Sequence, residues 1–328
     1  MGDYGSRIAD GATGKVHKLL RKVYAQAEKE LKRKMAAFLI RHRKQGAIML
    51  ERLKNGTITP AAYHAWMRGQ VFIGERWQKK IDQVIGIVQR ANEKAYKYIQ
   101  RYKLWVFKEN YNRYAYETEI KTGISFDIFN REAVERLLIE NPSMLPAWKI
   151  DEAKDYLWNR QKVETAITQG IIQGESVDQV AERLASELKS SNMSKMRMFA
   201  RTAITGAQNA GRQKQMEDAV ARGINIKKQW IATLDDRTRD THQHLDGQVV
   251  PVNESFHVGL KLIRYPGDPT ADPAMVYNCR CTMKSIFPMQ EGQKRQRRAY
   301  RYVDGHRESY VVEVQTYDEW KKMKEREQ

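Results

Sequence analysis

The sequence predicts a mainly helical α+β protein, with a long helical N-terminal region followed by a compact α+β domain. Apolar residues recur every three or four positions through most of the first 122 residues, the period of an amphipathic helix. Beyond Gly223 the period shortens towards two, and short strand candidates separated by turn residues follow. Both cysteines and three of the seven histidines lie between Trp230 and Cys281, so reactive side chains are concentrated in a small part of the chain.

Residues 1–14 read as a Gly-rich arm, polar and without the apolar run of a secretory signal. Lys15 to Lys54 reads as one amphipathic helix, with Val16, Leu20, Val23, Ala27, Leu31, Met35 and Leu39 on its apolar stripe. Asn55-Gly56 ends it, because Gly accepts a left-handed C-cap. Thr59 caps the next helix, and Pro60 takes its first position, where no amide hydrogen is needed. Tyr63, Met67, Trp77, Ile81, Val84, Val88, Ala91, Ala95, Tyr98, Tyr102 and Trp105 then follow a four-three spacing, the seam of a coiled coil or helical bundle. Running to Thr122-Gly123, about 60 residues predict a rod of about 90 Å, with a bend near Gly69 or Gly74. Basic and aromatic residues interleave from Tyr96 to Tyr116. Filling the bundle seam is their expected role, and stacking on single-stranded bases is the alternative.

Residues 124–150 form a connector with a short helix closed by Asn141-Pro142 and Pro146. Helices are expected over Asp151 to Gln169 and Val177 to Leu188, the second capped by Ser176 with Gln179 in the capping-box position. Ser190-Ser191-Asn192-Met193 leads into a separate helix from Ser194 to Arg222, ended by Gly223. Ile224 to Leu234 alternates like a strand, and Val249-Val250, Tyr277 to Ser285 and Tyr310 to Gln315 are further short strands. Gly292 to Arg301 reads as a basic linker and Thr316 to Arg326 as a terminal helix. The expected organisation is a basic helical region over 1–125, a connector over 126–150, an α+β domain over 151–287, and a basic linker with a strand and helix over 288–328.

Length allows two domains and a sizeable core. The net charge is +18, and its distribution is uneven. Residues 1–125 hold 26 basic and 11 acidic side chains, whereas the rest hold 32 and 29. Such asymmetry points to a polyanion, and double-stranded DNA bound without sequence preference is the expected one. Lys18, Lys22, Lys32, Arg33, Lys34, Arg41, Arg43 and Lys44 are the candidate contacts; a solvated helix surface is the plainer alternative. No stretch approaches the roughly 18 to 20 apolar residues of a membrane span, so no membrane partner is expected. Two cysteines two positions apart exclude a disulfide framework and imply a reducing cytoplasm during folding.

His242, His244, Cys279 and Cys281 are all acceptable zinc ligands. His-x-His and Cys-x-Cys each place alternate side chains on one face if the segment is extended. The alternative is a purely structural motif with His242 and both cysteines buried as small apolar groups. No cofactor is expected outright, zinc being the ion these four would take. The chain lacks the His-x-Glu and Pro-Cys-x-x-Cys of a zinc deaminase, a phosphate loop and a dinucleotide-binding glycine pattern. A Cys-His nucleophile finds no third member, so no catalytic residue is assigned and an enzyme is not expected.

The order of Trp230, Asp236, Arg237, Thr238, His242, Leu245, Gly247, Asn278, Cys279, Arg280 and Cys281, with Pro266-Gly267-Asp268-Pro269 between, resembles the phage head morphogenesis family, the Mu F-like minor head proteins. Upstream, Ala200-Arg201-Thr202 resembles the family's Ala-Arg-Thr-Glu helix, with Ala203 in place of the Glu. Phe126 to Pro146 is similar to a segment seen before this domain in minor capsid proteins of tailed phages. The resemblance covers roughly residues 155–287 and makes 151–287 a head-morphogenesis domain. It implies a virion protein inside the capsid at the portal vertex, assembled in the host cytoplasm. The portal protein, the major capsid or scaffold protein and packaged DNA would be its partners. Related domains also occur joined to toxin modules, so a nucleic-acid-processing enzyme or toxin-type effector using His242, Cys279 and Cys281 is the alternative.

Overall fold

The computed structural model describes residues 4–72, 75–145, 150–173, 175, 177–233, 237–288, 296–303, 306–313 and 322–326. Six helices carry most of it: α1 (Tyr4–Lys54), α2 (Pro60–Phe72), α3 (Glu75–Thr122), α4 (Arg131–Glu140), α5 (Glu152–Ile172) and α6 (Val177–Ala221). β1 (Lys227–Ile231), α7 (Asp240–Leu245), β2 (Val249–Pro251), β3 (Phe256–Val258) and β4 (Lys261–Ile263) follow. Then come α8 (Pro273–Val276), β5 (Thr282–Ile286), β6 (Gln296–Val303) and β7 (His306–Glu313). The mainly helical α+β class is what the sequence predicts. Among the described residues no helix is long and apolar enough to cross a membrane.

Local signals set many of these limits. Gly56 and Gly123 take positive φ, 68° and 70°, where α1 and α3 end. Thr59 Oγ1 accepts the Ala62 amide at 3.2 Å at the start of α2. Asn130 caps α4 through the Ala133 amide at 2.8 Å.

The chain divides into two compact units, each assembled from separated segments: residues 1–16, 99–148 and 198–328, and residues 17–98 and 149–197. The sequential blocks 1–125 and 151–287 each contribute to both.

In the second of these units, α1 buries Leu20, Val23, Tyr24, Ala27 and Leu31, and α3 buries Ile81, Val84, Val88, Ala91 and Ala95. Trp77 and Met67 have side chains outside the described residues. At the centre lies a polar network contributed by four helices. Tyr24 donates to Asn92 Oδ1 at 2.5 Å, and Asn92 donates to Asp155 Oδ2 and Asn192 Oδ1, both at 2.9 Å. Asn192 donates to Asn159 Oδ1 at 2.8 Å, and Lys195 closes on Asp155 Oδ1 at 2.9 Å. Asn92, Asn159 and Asn192 are fully buried, so bonds within the protein, these and the one from Asn159 to Asp155 O at 2.8 Å among them, replace water.

That network explains one departure from expectation. Ser190-Ser191-Asn192-Met193 does not break the helix; α6 runs 45 residues straight through it. Asn192 donates back to Leu188 O at 2.8 Å and Ser191 to Glu187 O at 2.7 Å, which satisfies polar side chains inside a helix. The capping role expected of Ser176 falls outside the described residues.

In the other unit, residues 4–14 are helical, not an arm. Ala9, Ala12 and Val16 are buried there. A Cβ on Gly5 would come within 2.4 Å of Asn110 Oδ1 and 2.6 Å of Arg212 Nη2, so this glycine provides close packing. α3 and α6 also touch backbone to backbone, since a Cβ on Gly211 would meet Phe107 O at 2.4 Å. Along α3 the buried face has moved. Ile99, Val106 and Phe107 are buried, while Trp105 of the expected seam is 38% exposed. A straight helix drifts about 20° per heptad from a strict seven-residue repeat, which moves the buried face off the expected seam over this length.

β1 is the centre of a three-stranded antiparallel sheet of order β2-β1-β5, with Lys228 opposite Val250 and Trp230 opposite Met283. β3 and β4 form a hairpin, and so do β6 and β7. The expected linker over 292–301 therefore contains strand from Gln296 on, paired through β7. Of the expected terminal helix, only residues 322–326 are described, and they are helical.

Candidate functional site

The site begins on β1. Trp230 is wholly buried, edge-to-face with Phe256 at 5.3 Å and with His242 at 5.6 Å. Its amide donates to Gln248 O and its carbonyl accepts from Gly247, both at 3.0 Å. Gly247 has φ +77°, the conformation this return requires. Asp246 Oδ1 accepts the Ala232 amide at 2.8 Å, and Thr238 donates to Thr233 O. α7 is thus strapped against the end of β1, with His242 and Leu245 facing inward.

A second strap descends from α8. Asn278 takes a left-handed φ of 58°, which asparagine tolerates. From there the chain is laced to one face of α6. Thr202 accepts the Asn278 amide at 2.8 Å, Thr205 donates to Cys279 O at 2.9 Å, and Asn209 to Cys281 O at 3.2 Å. Arg212 donates to Met283 O at 2.8 Å and to Asn110 Oδ1 at 3.1 Å, and is fully buried. Residues 202, 205, 209 and 212 are three and four apart, so they line one helix stripe. Sequence reading singled out only Thr202 of these. The signal for the rest was polar residues at helical spacing among the small residues Ala203, Gly206, Ala207, Ala210 and Gly211.

The Pro266-Gly267-Asp268-Pro269 loop is held the same way. Gly267 has φ +83°, and a Cβ there would lie 2.7 Å from Gly206 Cα in α6. Arg264 grips Asp268 with two nitrogens, at 2.9 and 2.7 Å, and Thr270 adds amide and hydroxyl bonds at 3.0 and 2.7 Å. Burial alone would raise the Asp268 carboxyl, but these bonds outweigh it and hold it below its usual range.

Between the straps, His242, Cys279 and Cys281 come together, all buried. His242 Nδ1 lies 3.3 Å from Cys281 Sγ and 3.6 Å from Cys279 Sγ. The Cys281 amide points at Cys279 Sγ at 3.3 Å. The two thiols share unequally. The hydrogen bond from Cys279, with His242 beside it, lowers Cys281, while that same bond and burial raise Cys279. His242 Nε2 and Trp230 Nε1 are both buried, with no hydrogen-bond partner among the described residues.

His244 stands apart. It is exposed, with its ring nitrogen 2.7 Å from Asp240 O. The extended His-x-His segment expected from sequence is a helical turn, in which residues two apart point to opposite faces. Asp236 lies outside the described residues. Arg237 and Asn278 are exposed, and Arg280 is half-buried with its carbonyl accepting from Thr233.

Of the candidate DNA contacts, Lys18, Lys22, Lys32, Arg33, Lys34 and Lys44 are exposed on α1. Lys32 shares its charge with Glu28 and Glu182, at 3.6 and 3.3 Å. Arg41 and Arg43 lie in α1, their side chains outside the described residues. Exposed Lys29 was not singled out, yet Lys18, Lys22, Lys29 and Arg33 occupy one stripe of the helix.

Residues 161–284, which hold the Trp-bearing strand, the histidine helix and the Cys-x-Cys strap, match the family described as phage Mu protein F like protein. The chain is also 31% identical over 325 residues to minor head protein GP7 of Bacillus phage SPP1, covering 94% of this chain and 96% of that one. It belongs to the family of Mu F-like minor head proteins of tailed phages. It is 29% identical over 253 residues to NAD(+)–arginine ADP-ribosyltransferase EFV of Enterococcus faecalis (strain ATCC 700802 / V583), covering 75% of this chain and 49% of that enzyme. The chain thus spans about half the length of the transferase. No solved structure matches it.

Proposed function

We propose that this minor head protein works at the portal vertex during procapsid assembly, touching packaged DNA through the basic face of α1 and carrying out no turnover. The observation behind this reading is the similarity to minor head protein GP7 along nearly the whole of both chains. The exposed stripe of Lys18, Lys22, Lys29 and Arg33 supports the DNA contact, since those charges sit at the spacing of one helix face and can release phosphate counterions together. Its partners in this reading are the portal protein, the major capsid or scaffold protein and double-stranded DNA.

Three measurements test it. The full chain is expected to shift duplex DNA of any sequence at low salt, with affinity falling steeply as salt rises. Replacing Lys18, Lys22, Lys29 and Arg33 by Gln is expected to flatten that slope; an unchanged slope refutes the α1 contact. Co-purification with the portal protein of the same phage tests the location. The similarity to an arginine ADP-ribosyltransferase favours a second reading, an effector enzyme. Incubation with NAD+ and an arginine-bearing acceptor is expected to transfer no ADP-ribose, and transfer would overturn the non-enzymatic reading.

A further inference from the structure

We propose that His242 Nδ1, Cys279 Sγ and Cys281 Sγ bind one zinc ion, which pins α7 to the Cys-x-Cys strap.

Three observations carry this. The first is distance. The three donor atoms all lie within 4.8 Å of one another, with nitrogen–sulfur separations of 3.3 and 3.6 Å. Tetrahedral zinc with bonds of about 2.0 to 2.3 Å sets its ligands about 3.4 to 3.8 Å apart. The second is convergence on one atom. Both sulfurs face the same imidazole nitrogen, and a single Nδ1 hydrogen serves only one of them well. A cation placed between the three serves all. The third is preorganisation. The carbonyls of Cys279 and Cys281 are tied to Thr205 and Asn209 of α6, so the backbone is fixed by bonds that need no metal. The amide of Cys281 is aimed at Cys279 Sγ, an arrangement that stabilises a sulfur anion.

The donor set decides the ion. Two thiolates and an imidazole suit a soft or borderline cation and disfavour magnesium or calcium, which take oxygen. These residues fill three of zinc's four positions. His244, exposed and turned to the other face of α7, is not the fourth.

The test uses the full chain purified under reducing conditions from zinc-supplemented cells. Elemental analysis is expected to find about one zinc per chain, as a single site requires. Cobalt exchanged into the site is expected to give the thiolate charge-transfer absorption of a tetrahedral centre. Cys281→Ser and His242→Asn are expected to reduce bound zinc to near zero, whereas His244→Asn retains it. If a variant fails to fold, the wild-type chain decides: chelation is expected to expose both thiols to a thiol reagent, and zinc but not magnesium to protect them again. Absence of zinc after anaerobic reconstitution overturns the proposal. So does zinc that survives loss of both cysteines, or thiols whose reactivity ignores chelation. Copper or iron found in place of zinc overturns the choice of ion.

Discussion

Two buried polar clusters in this chain were solved in different ways. In the helical unit, Tyr24, Asn92, Asp155, Asn159, Asn192 and Lys195 satisfy one another, and the charge of Asp155 is matched by Lys195. In the other unit, the Cys/His group is equally buried, but His242 Nδ1 faces two sulfurs at once, at 3.3 and 3.6 Å. A closed network fixes which helix faces meet, because any other packing strands several groups without water. Three good ligand atoms that a single Nδ1 hydrogen cannot serve together are the arrangement that gains from a bound ion. One cluster therefore specifies structure, and the other has chemistry left over.

The largest effect is expected where the closed network is opened. Asp155→Ala leaves one hydrogen of buried Asn92 and the half-buried Lys195 ammonium without their acceptor and is expected to cost about 3 kcal/mol in chemical denaturation. A loss below about 1 kcal/mol, the level of an exposed pair, would mean the cluster is hydrated and the contrast fails.

Gly267→Ala tests the scaffold of the second region. It forces a side chain into positive φ and against Gly206, and is expected to cost about 2 to 5 kcal/mol. Thermal denaturation reads it directly, and a neutral result would mean that the loop does not press on α6.

Lys228 sharpens the comparison, because it is a buried charge whose hydrogen bonds among the described residues go to neutral acceptors, Gln213 Oε1 at 3.1 Å and Arg264 O at 2.8 Å. Burial lowers its ammonium to about 8 from its ordinary 10.5. The unfolded chain then holds more protons between those values, so stability rises with pH from about 8 to 10.5, by about 3 kcal/mol in all. Below pH 8 both states are protonated and the group adds no slope. Lys228→Met is expected to remove the rise; denaturation at pH 7.5 and 10 in both proteins measures it, and parallel profiles refute it.

The smallest effect is expected at His244, exposed and outside the Cys/His group. His244→Ala is expected to change stability by no more than about 0.5 kcal/mol. A larger loss would tie that residue to the site after all.

Several local features were legible in the chain. The cap at Thr59, the helix ends at Gly56 and Gly123, and the crowding of Cys and His after Trp230 are local features, written in a few neighbouring residues. Such signals act within a turn of chain, so sequence alone carries them. The mainly helical α+β class follows from periodicity for the same reason.

What only the tertiary structure decided depends on contacts between distant segments. Ser190 to Asn192 look like a helix break until Asn192 is paired with Asn159, 33 residues earlier. The glycines near the N-terminus look like a flexible arm until Gly5 is set against Asn110 and Arg212. His242 and His244 are equivalent as letters, and the helical turn of α7 turns one toward the cysteines and the other toward solvent. In each case intrinsic preferences of under about 1 kcal/mol per residue were outweighed by burial and by polar groups that had to find partners once water was gone.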